Sequence, residues 1–236
     1  MSVEPATFVE HATWLARHRD VVPLHSTLRG WEPGGAGRRK EVVLTFDDGF
    51  ASVYEHALPV LVRLGLPATV FLVGKTLTGR EFDVDWVDRP PSHRLRTLDM
   101  AQIREMQAAG VTFESHSYAH ADLTRMSFHD CVDDLRNSRE LLEAHLGQRV
   151  RLLAYPRGRH NADVRAAAER AGYEHAFTLP DRREVPGPYA LPRVGVYHGN
   201  SVAHLRLKVS APYLSLRTSP LAERVRRGLG ARHDDR

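Results

Sequence analysis

The chain has 236 residues, of which 42% are hydrophobic and 26% charged, and its mean hydropathy is −0.39. That balance suits a globular protein with a sizeable core and excludes collagen-like, coiled-coil and largely disordered classes. One cysteine, Cys131, excludes an internal disulfide and a cysteine-based zinc site. The formal net charge of +4 is unevenly placed: from Arg193 to Arg236 there are nine Lys/Arg against Glu223, Asp234 and Asp235, so the rest of the chain is slightly acidic. A uniformly basic nucleic-acid-binding surface is thereby disfavoured, and no nucleic-acid partner is expected. The N-terminus lacks a basic, then apolar leader, and no run approaches the roughly 18 apolar residues of a spanning helix. The expectation is a cytoplasmic protein with no integral membrane segment.

The predicted elements run as follows. Pro5 to Asp20 reads as a helix with Phe8, Ala12 and Leu15 on one face. A short apolar run, Val21-Val-Pro-Leu24, precedes a glycine-rich connector that ends in Arg38-Arg-Lys40. Glu41-Val-Val-Leu-Thr-Phe46 reads as a buried strand that stops at Asp47-Asp48-Gly49. A helix over Ser52–Leu64, a strand over Ala68–Val73 and a helix over Asp99–Ala109 follow. Val111–Glu114 is the next strand and runs into Ser115-His-Ser-Tyr-Ala-His120. Ser127–Leu146 is a long amphipathic helix with Cys131, Leu135 and Leu142 on its apolar stripe. Val150–Ala154 is a strand ending in Tyr155-Pro-Arg-Gly158, and a helix over Ala162–Ala171 precedes strands at Ala176–Thr178 and Leu191–Val196.

Alternating strands and helices imply a parallel sheet with helical crossovers, hence an α/β barrel or a doubly wound sheet. Three polar clusters, Asp47-Asp48, His116/His120 and Tyr155–Gly158, each follow a strand. Strand C-terminal ends are where such folds collect their sites, so the three should converge on one rim. Paired acids after an apolar strand exceed what a helix cap needs, and they are costly unless neutralised. One can ligate a metal while the other faces substrate as a base. Two histidines at i, i+4 with one carboxylate make a donor set suited to Zn²⁺, Fe²⁺ or Co²⁺ with open positions. Of the tryptophans Trp14, Trp31 and Trp86, Trp14 is better read as core, and Trp86, in a polar connection, as the better ligand-loop candidate.

These residues resemble the polysaccharide deacetylases of carbohydrate esterase family 4, the NodB-homology group. Thr45-Phe-Asp-Asp-Gly49 resembles the first motif, Ser115-His-Ser-Tyr-Ala-His120 the second and Ala154-Tyr-Pro-Arg-Gly158 the third. Leu66–Gly74 and Leu191-Pro-Arg-Val194 are also similar. The resemblance covers about residues 5–215. It implies a single-domain, distorted (β/α) barrel of roughly seven parallel strands and metal-dependent removal of acetyl groups from N-acetylated amino sugars. Residues 1–40 would then be an N-terminal helix and connector, 41–215 the deacetylase domain, and 216–236 a basic tail.

By that resemblance Asp48, His116 and His120 bind a divalent metal, zinc first, with cobalt, nickel, manganese or iron as alternatives. Asp47 is the general base, and Tyr155, Arg157 and Trp86 lie on the substrate and oxyanion side. Thr45 and Ser117 are candidate hydrogen-bonding supports for the site. The chain departs from the family pattern in three places. Ala154 stands where many members have an arginine that steers the catalytic aspartate. Arg157 stands where a tyrosine is usual, and no Asp-Trp pair follows Gly158. Some relatives with an Ala-Tyr-Pro motif take their proton-donating histidine from a Tyr-His pair ahead of the first motif, and this chain is expected to begin just after that segment. His198, after the last strand, and His25 are the in-chain candidates for that donor. The competing readings are a hydrolase of cyclic amides or imides on the same scaffold, and a glycan-binding relative without turnover.

Overall fold

The computed structural model describes residues 3–28, 40–79, 84–87, 94–179, 186–210 and 212–213. Trp31, the glycine-rich connector up to residue 39 and the basic segment 216–236 lie outside them. The elements in chain order are α1 (Pro5–His18), β1 (Asp20–Val21), α2 (Leu24–Leu28), β2 (Glu41–Val42), β3 (Thr45–Phe46), α3 (Leu58–Leu64), β4 (Thr69–Leu72), α4 (Met100–Ala108), β5 (Thr112–Ser115), α5 (Phe128–Leu146), β6 (Leu152–Ala154), α6 (Ala162–Arg170), β7 (His175–Thr178), β8 (Leu191–Pro192) and α7 (Val202–Lys208).

Six parallel strands form one sheet in the order β3-β4-β5-β6-β7-β8, curled into a half-barrel. The expected seventh strand is absent from that sheet. The predicted strand Glu41–Phe46 divides instead: β2 pairs with β1 in a separate two-stranded sheet, and only β3 joins β4. The final strand is likewise cut to Leu191–Pro192. The predicted helix at Ser52–Leu64 also divides, into a π-helical turn at Val53–Ala57 followed by α3. Pro59 has no N–H to donate back along the helix, and a shift in hydrogen-bond register just ahead of it accommodates that loss.

The sheet's side chains alternate strictly between its two faces. Val70, Leu72, Phe113, Leu153 and Ala176 belong to one cluster with α3, α4, α5 and α6. Phe71, Leu152, Ala154, Phe177 and Leu191 form the other, closed by Leu24 of α2. Burial on both faces explains why these strands read as continuous apolar runs. A fully buried Leu or Phe contributes about 1.5–3 kcal/mol, so these two clusters outweigh any surface pair as the source of stability. The helix boundaries follow local chemistry. Asp99 closes a reciprocal capping box with Gln102 at the start of α4. Ser127 accepts from the Asp130 N–H at the start of α5, and Asn161 from the Val164 N–H at the start of α6.

Between β5 and β6 the ladder is interrupted. The buried Glu114 carboxylate takes the N–H groups of Arg151 (2.9 Å) and Leu152 (2.7 Å), with His25 of α2 at 2.9 Å from its other oxygen. His25 is therefore a structural partner inside the half-barrel, tying α2 to β5. Among the described residues, no helix is long and apolar enough to cross a membrane.

Candidate metal centre

The three clusters expected at one rim do meet there. Asp47 and Asp48 leave the end of β3, His116 follows β5, and the Tyr155–Gly158 turn follows β6. Asp48, His116 and His120 each offer a ligand atom within 4.8 Å of the others. His116 Nε2 is 3.7 Å and His120 Nε2 3.3 Å from Asp48 Oδ1.

Four non-glycine residues among those described have positive φ: Asp48 (70°), Ser117 (67°), His120 (56°) and Arg157 (58°). All four belong to the three motifs. Each such conformation costs about 1 kcal/mol or more, so the strain among the described non-glycine residues is concentrated at the three rim motifs. Gly49, at φ 68°, completes the reversal after Asp48, and a Cβ there would lie 2.6 Å from Leu72 Cδ2. Gly158 closes the third motif at φ 70°, where a Cβ would lie 2.5 Å from the Leu179 nitrogen. Each position excludes a side chain by conformation and by space.

The loop carrying the histidines is held from several sides. His116 N–H donates to Leu72 O (2.8 Å), while Gly74 and Lys75 N–H groups donate to Ser117 O and Tyr118 O (2.9 and 2.8 Å). Ser117 Oγ accepts from His120 N–H at 3.0 Å. Asp134, on α5, takes the N–H groups of Tyr118 (2.9 Å) and Ala119 (3.3 Å). Burial raises the Asp134 carboxyl, and these two donors oppose the rise.

The protonation pattern suits a cation. His116 Nδ1 lies 2.7 Å from Ala154 O, a contact that places a proton on Nδ1 and turns Nε2 toward Asp48. Burial holds His120 down at about 3, so that ring is neutral at pH 7. Asp48 Oδ1 is buried with no hydrogen-bond donor among the described residues. Its carboxyl is raised by burial, despite the attraction of His116. Both imidazole Nε2 atoms and the unpartnered Asp48 Oδ1 converge on one point, where a divalent cation would satisfy all three. Two imidazole nitrogens and one carboxylate oxygen form a set that fits Zn²⁺ and also Fe²⁺ or Co²⁺.

Asp47 points elsewhere. Its two oxygens take Arg193 Nη1 at 2.8 Å and Nη2 at 2.9 Å, and Nη1 also donates to Thr45 Oγ1 at 3.1 Å. The guanidinium lies over Phe71 (5.1 Å) and Phe177 (5.9 Å). Burial alone would raise the Asp47 carboxyl, but the Arg193 guanidinium and the nearby histidines hold it at about 2. Arg193 reaches Asp47 from just past β8, the strand at the opposite edge of the sheet from β3. Sequence reasoning missed it, although β8 carried the signal: Arg193 lies two residues past the inward-facing Leu191. Asp134 was missed as well, because an acid on a helix face gives no hint of which loop it will cap.

Other expected residues are placed differently. Tyr155 is fully buried on the helix side of the sheet, with its hydroxyl donating to Tyr189 O (3.0 Å) and its N–H to Phe177 O (3.0 Å). It is therefore a core residue, and neither its side chain nor that N–H serves an oxyanion. Trp86 is only 7% exposed and packs on His120, so it is no open sugar platform. Trp14, expected in the core, is half-buried between His18, Arg19 and Arg206. His198 is exposed and lies 3.5 Å from Glu4, with that pair and not with the metal-ligand cluster. Arg157 is exposed, and its Nη2 donates to Trp86 O at 3.2 Å.

Comparison with known proteins agrees with this geometry. YxkH of Bacillus subtilis (strain 168) is 31% identical over 164 residues, 69% of this chain and 53% of that protein, so this chain spans about half the length of that relative. The poly-beta-1,6-N-acetyl-D-glucosamine N-deacetylase of Staphylococcus epidermidis is 27% identical over 204 residues, 82% of this chain and 67% of that protein. The solved structure of Streptococcus pyogenes deacetylase PplD in complex with acetate superposes with a TM-score of 0.73 at 22% identity, covering 88% of both chains, which shows a shared fold. The sequence profile described as polysaccharide deacetylase matches residues 34–176, and with more than half of its length so matched, this chain belongs to the polysaccharide deacetylase family.

Proposed function

We propose that the chain is a metal-dependent hydrolase that removes acetyl groups from N-acetylated amino sugars of a polysaccharide or glycoconjugate. The observation that carries this reading is the pairing of an Asp48–His116–His120 donor set with a separate, ionised carboxylate, Asp47, clamped by Arg193. When bound, a divalent cation supplies Lewis acidity to an amide carbonyl and to the oxygen of an attacking water. Zinc is the first candidate for this donor set.

The protein's own groups divide the remaining work. Asp47 accepts the water's proton at a carboxylate oxygen. Arg193 keeps that carboxylate ionised and fixes its plane through two parallel hydrogen bonds, at some cost in basicity. Thr45 holds Arg193 in turn. Ala154, through its carbonyl, fixes the His116 tautomer. Arg157, exposed at the third-motif turn, is the substrate contact, since its charge bears on both Asp48 and His120. The printed substrate of the Staphylococcus epidermidis relative, a β-1,6-linked N-acetylglucosamine polymer, supports an acetylated glycan as the substrate class.

The test is acetate release from N-acetylglucosamine oligomers by the purified chain, with and without chelation. Chelation should abolish release and Zn²⁺ restore it. Asp47→Asn should retain metal but lose at least 10²-fold in rate, and His116→Ala should lose metal. Release that survives chelation, or an Asp47→Asn variant as fast as the parent, refutes the reading.

A further inference from the structure

The two histidines of the donor set are held in different ways. His116 has the usual outer partner, the Ala154 carbonyl at its Nδ1. Nδ1 of His120 has no hydrogen-bond partner among the described residues. Something else must fix the rotation of that ring.

Trp86 occupies the place where such a support would stand. It comes from the connection between β4 and α4, outside all three motifs. Its ring stacks on His120, with centroids 5.4 Å apart and planes at 28°. It also stacks on Phe50, just after the Asp48-Gly49 reversal, at 6.5 Å. Its carbonyl accepts from Arg157 Nη2 of the third motif at 3.2 Å. Lys75 Nζ lies 4.7 Å from the ring centroid and 3.3 Å from Asp85 Oδ1, pinning the same segment from behind. One residue outside the motifs, through its ring and its carbonyl, therefore touches a residue of, or next to, each of them.

We propose that Trp86 is a positioning residue of the metal centre, its ring face setting the His120 imidazole while its contacts with Phe50 and Arg157 tie the other two motifs to that ligand. This rests on the metal-binding reading above. A stacked indole restrains ring rotation without competing for the imidazole nitrogen that must face the ion. It also keeps water away from the buried, unpartnered Nδ1. Its role is to aim ligands, and it takes no part in proton transfer.

The deciding experiment measures Zn²⁺ affinity by chelator competition and the Co²⁺ absorption spectrum, for the full chain and for Trp86→Leu, Trp86→Phe and His116→Ala. Trp86→Leu should weaken Zn²⁺ about 10–100-fold, the range found for outer-shell partners. It should also alter the Co²⁺ ligand-field bands, which a change in packing remote from the ligands would leave alone. Trp86→Phe keeps a smaller ring on His120, so it should fall between Trp86→Leu and the parent. It also serves if the leucine variant does not fold. Co²⁺ should quench tryptophan fluorescence in the parent and much less in Trp86→Phe. Trp86→Leu, or Trp86→Phe where the leucine variant does not fold, binding Zn²⁺ within twofold of the parent, with unaltered Co²⁺ bands, overturns the proposal. A parent that binds neither ion, or a His116→Ala variant that binds as tightly as the parent, overturns the metal reading beneath it.

Discussion

Replacing Arg193 with methionine separates the two things the guanidinium does for Asp47. The unbranched methionine can refill the space over Phe71 and Phe177, so the change chiefly removes charge and two hydrogen bonds. Asp47 is held at about 2, against an ordinary 3.8. At about 1.4 kcal/mol per unit, that difference corresponds to roughly 2–3 kcal/mol of folding stability. The Asp47 and Arg193 side chains are 29% and 12% exposed, so solvent screening trims the figure only modestly. Breaking one side of such a pair also leaves a half-buried carboxylate uncompensated, which places the expected loss at about 2–4 kcal/mol.

The sign follows from linkage. A carboxyl depressed in the folded state contributes fully above its unfolded value and loses that contribution as pH falls toward the folded one. Urea unfolding of the chelated protein should therefore show the largest gap between parent and Arg193→Met above about pH 4, narrowing toward pH 2. Acetate release at neutral pH should fall about 10–100-fold, because Asp47 keeps its charge but loses its orientation. Arg193→Lys should rescue little, since an ammonium cannot span both carboxylate oxygens. A methionine variant within about 0.5 kcal/mol of the parent at pH 7, with turnover within twofold, would refute the clamp.

Three further outcomes test how the site is supported. Gly158→Ala should lower stability by at least about 2 kcal/mol in a thermal or urea melt, because the new Cβ meets the Leu179 backbone at 2.5 Å in a left-handed conformation. Asp134→Ala strands the Tyr118 and Ala119 N–H groups, and should cost about 1–3 kcal/mol and weaken Zn²⁺ binding in chelator competition. Cys131 is 2% exposed and burial pushes its thiol up to about 11. It should resist a disulfide reagent at pH 8 in the native protein and react fully in denaturant. Rapid native labelling would show that α5 opens.

The strained ligand loops illustrate how far local sequence reaches. Asp48, His116 and His120 were legible because each follows an apolar strand, and strand ends in parallel α/β folds point to a common rim. Thr45 and Ser117 were legible as supports by adjacency, and the structure gives each a hydrogen bond to the site, with Arg193 and with the His120 N–H. The helix limits at Asp99, Ser127 and Asn161 were legible because capping is decided within four residues. Tyr155 misled because motif membership says that a residue is near the site, while strand parity decides which face its side chain takes. Its neighbours Ala154 and Pro156 could not reveal that.

The split of Glu41–Phe46 into two strands was equally hidden, since periodicity reports burial and not which neighbour a strand pairs with. The amino-acid sequence by itself determined the alternating α/β architecture, the donor set and the separate acid beside it, because short-range patterning and residue chemistry encode them. Only the tertiary structure decided that Arg193 clamps Asp47, that Asp134 ties down the histidine loop and that Trp86 lies on His120. Those pairings join residues 146, 16 and 34 positions apart, respectively, and contacts at such separations depend on how the sheet curls and which faces it brings together.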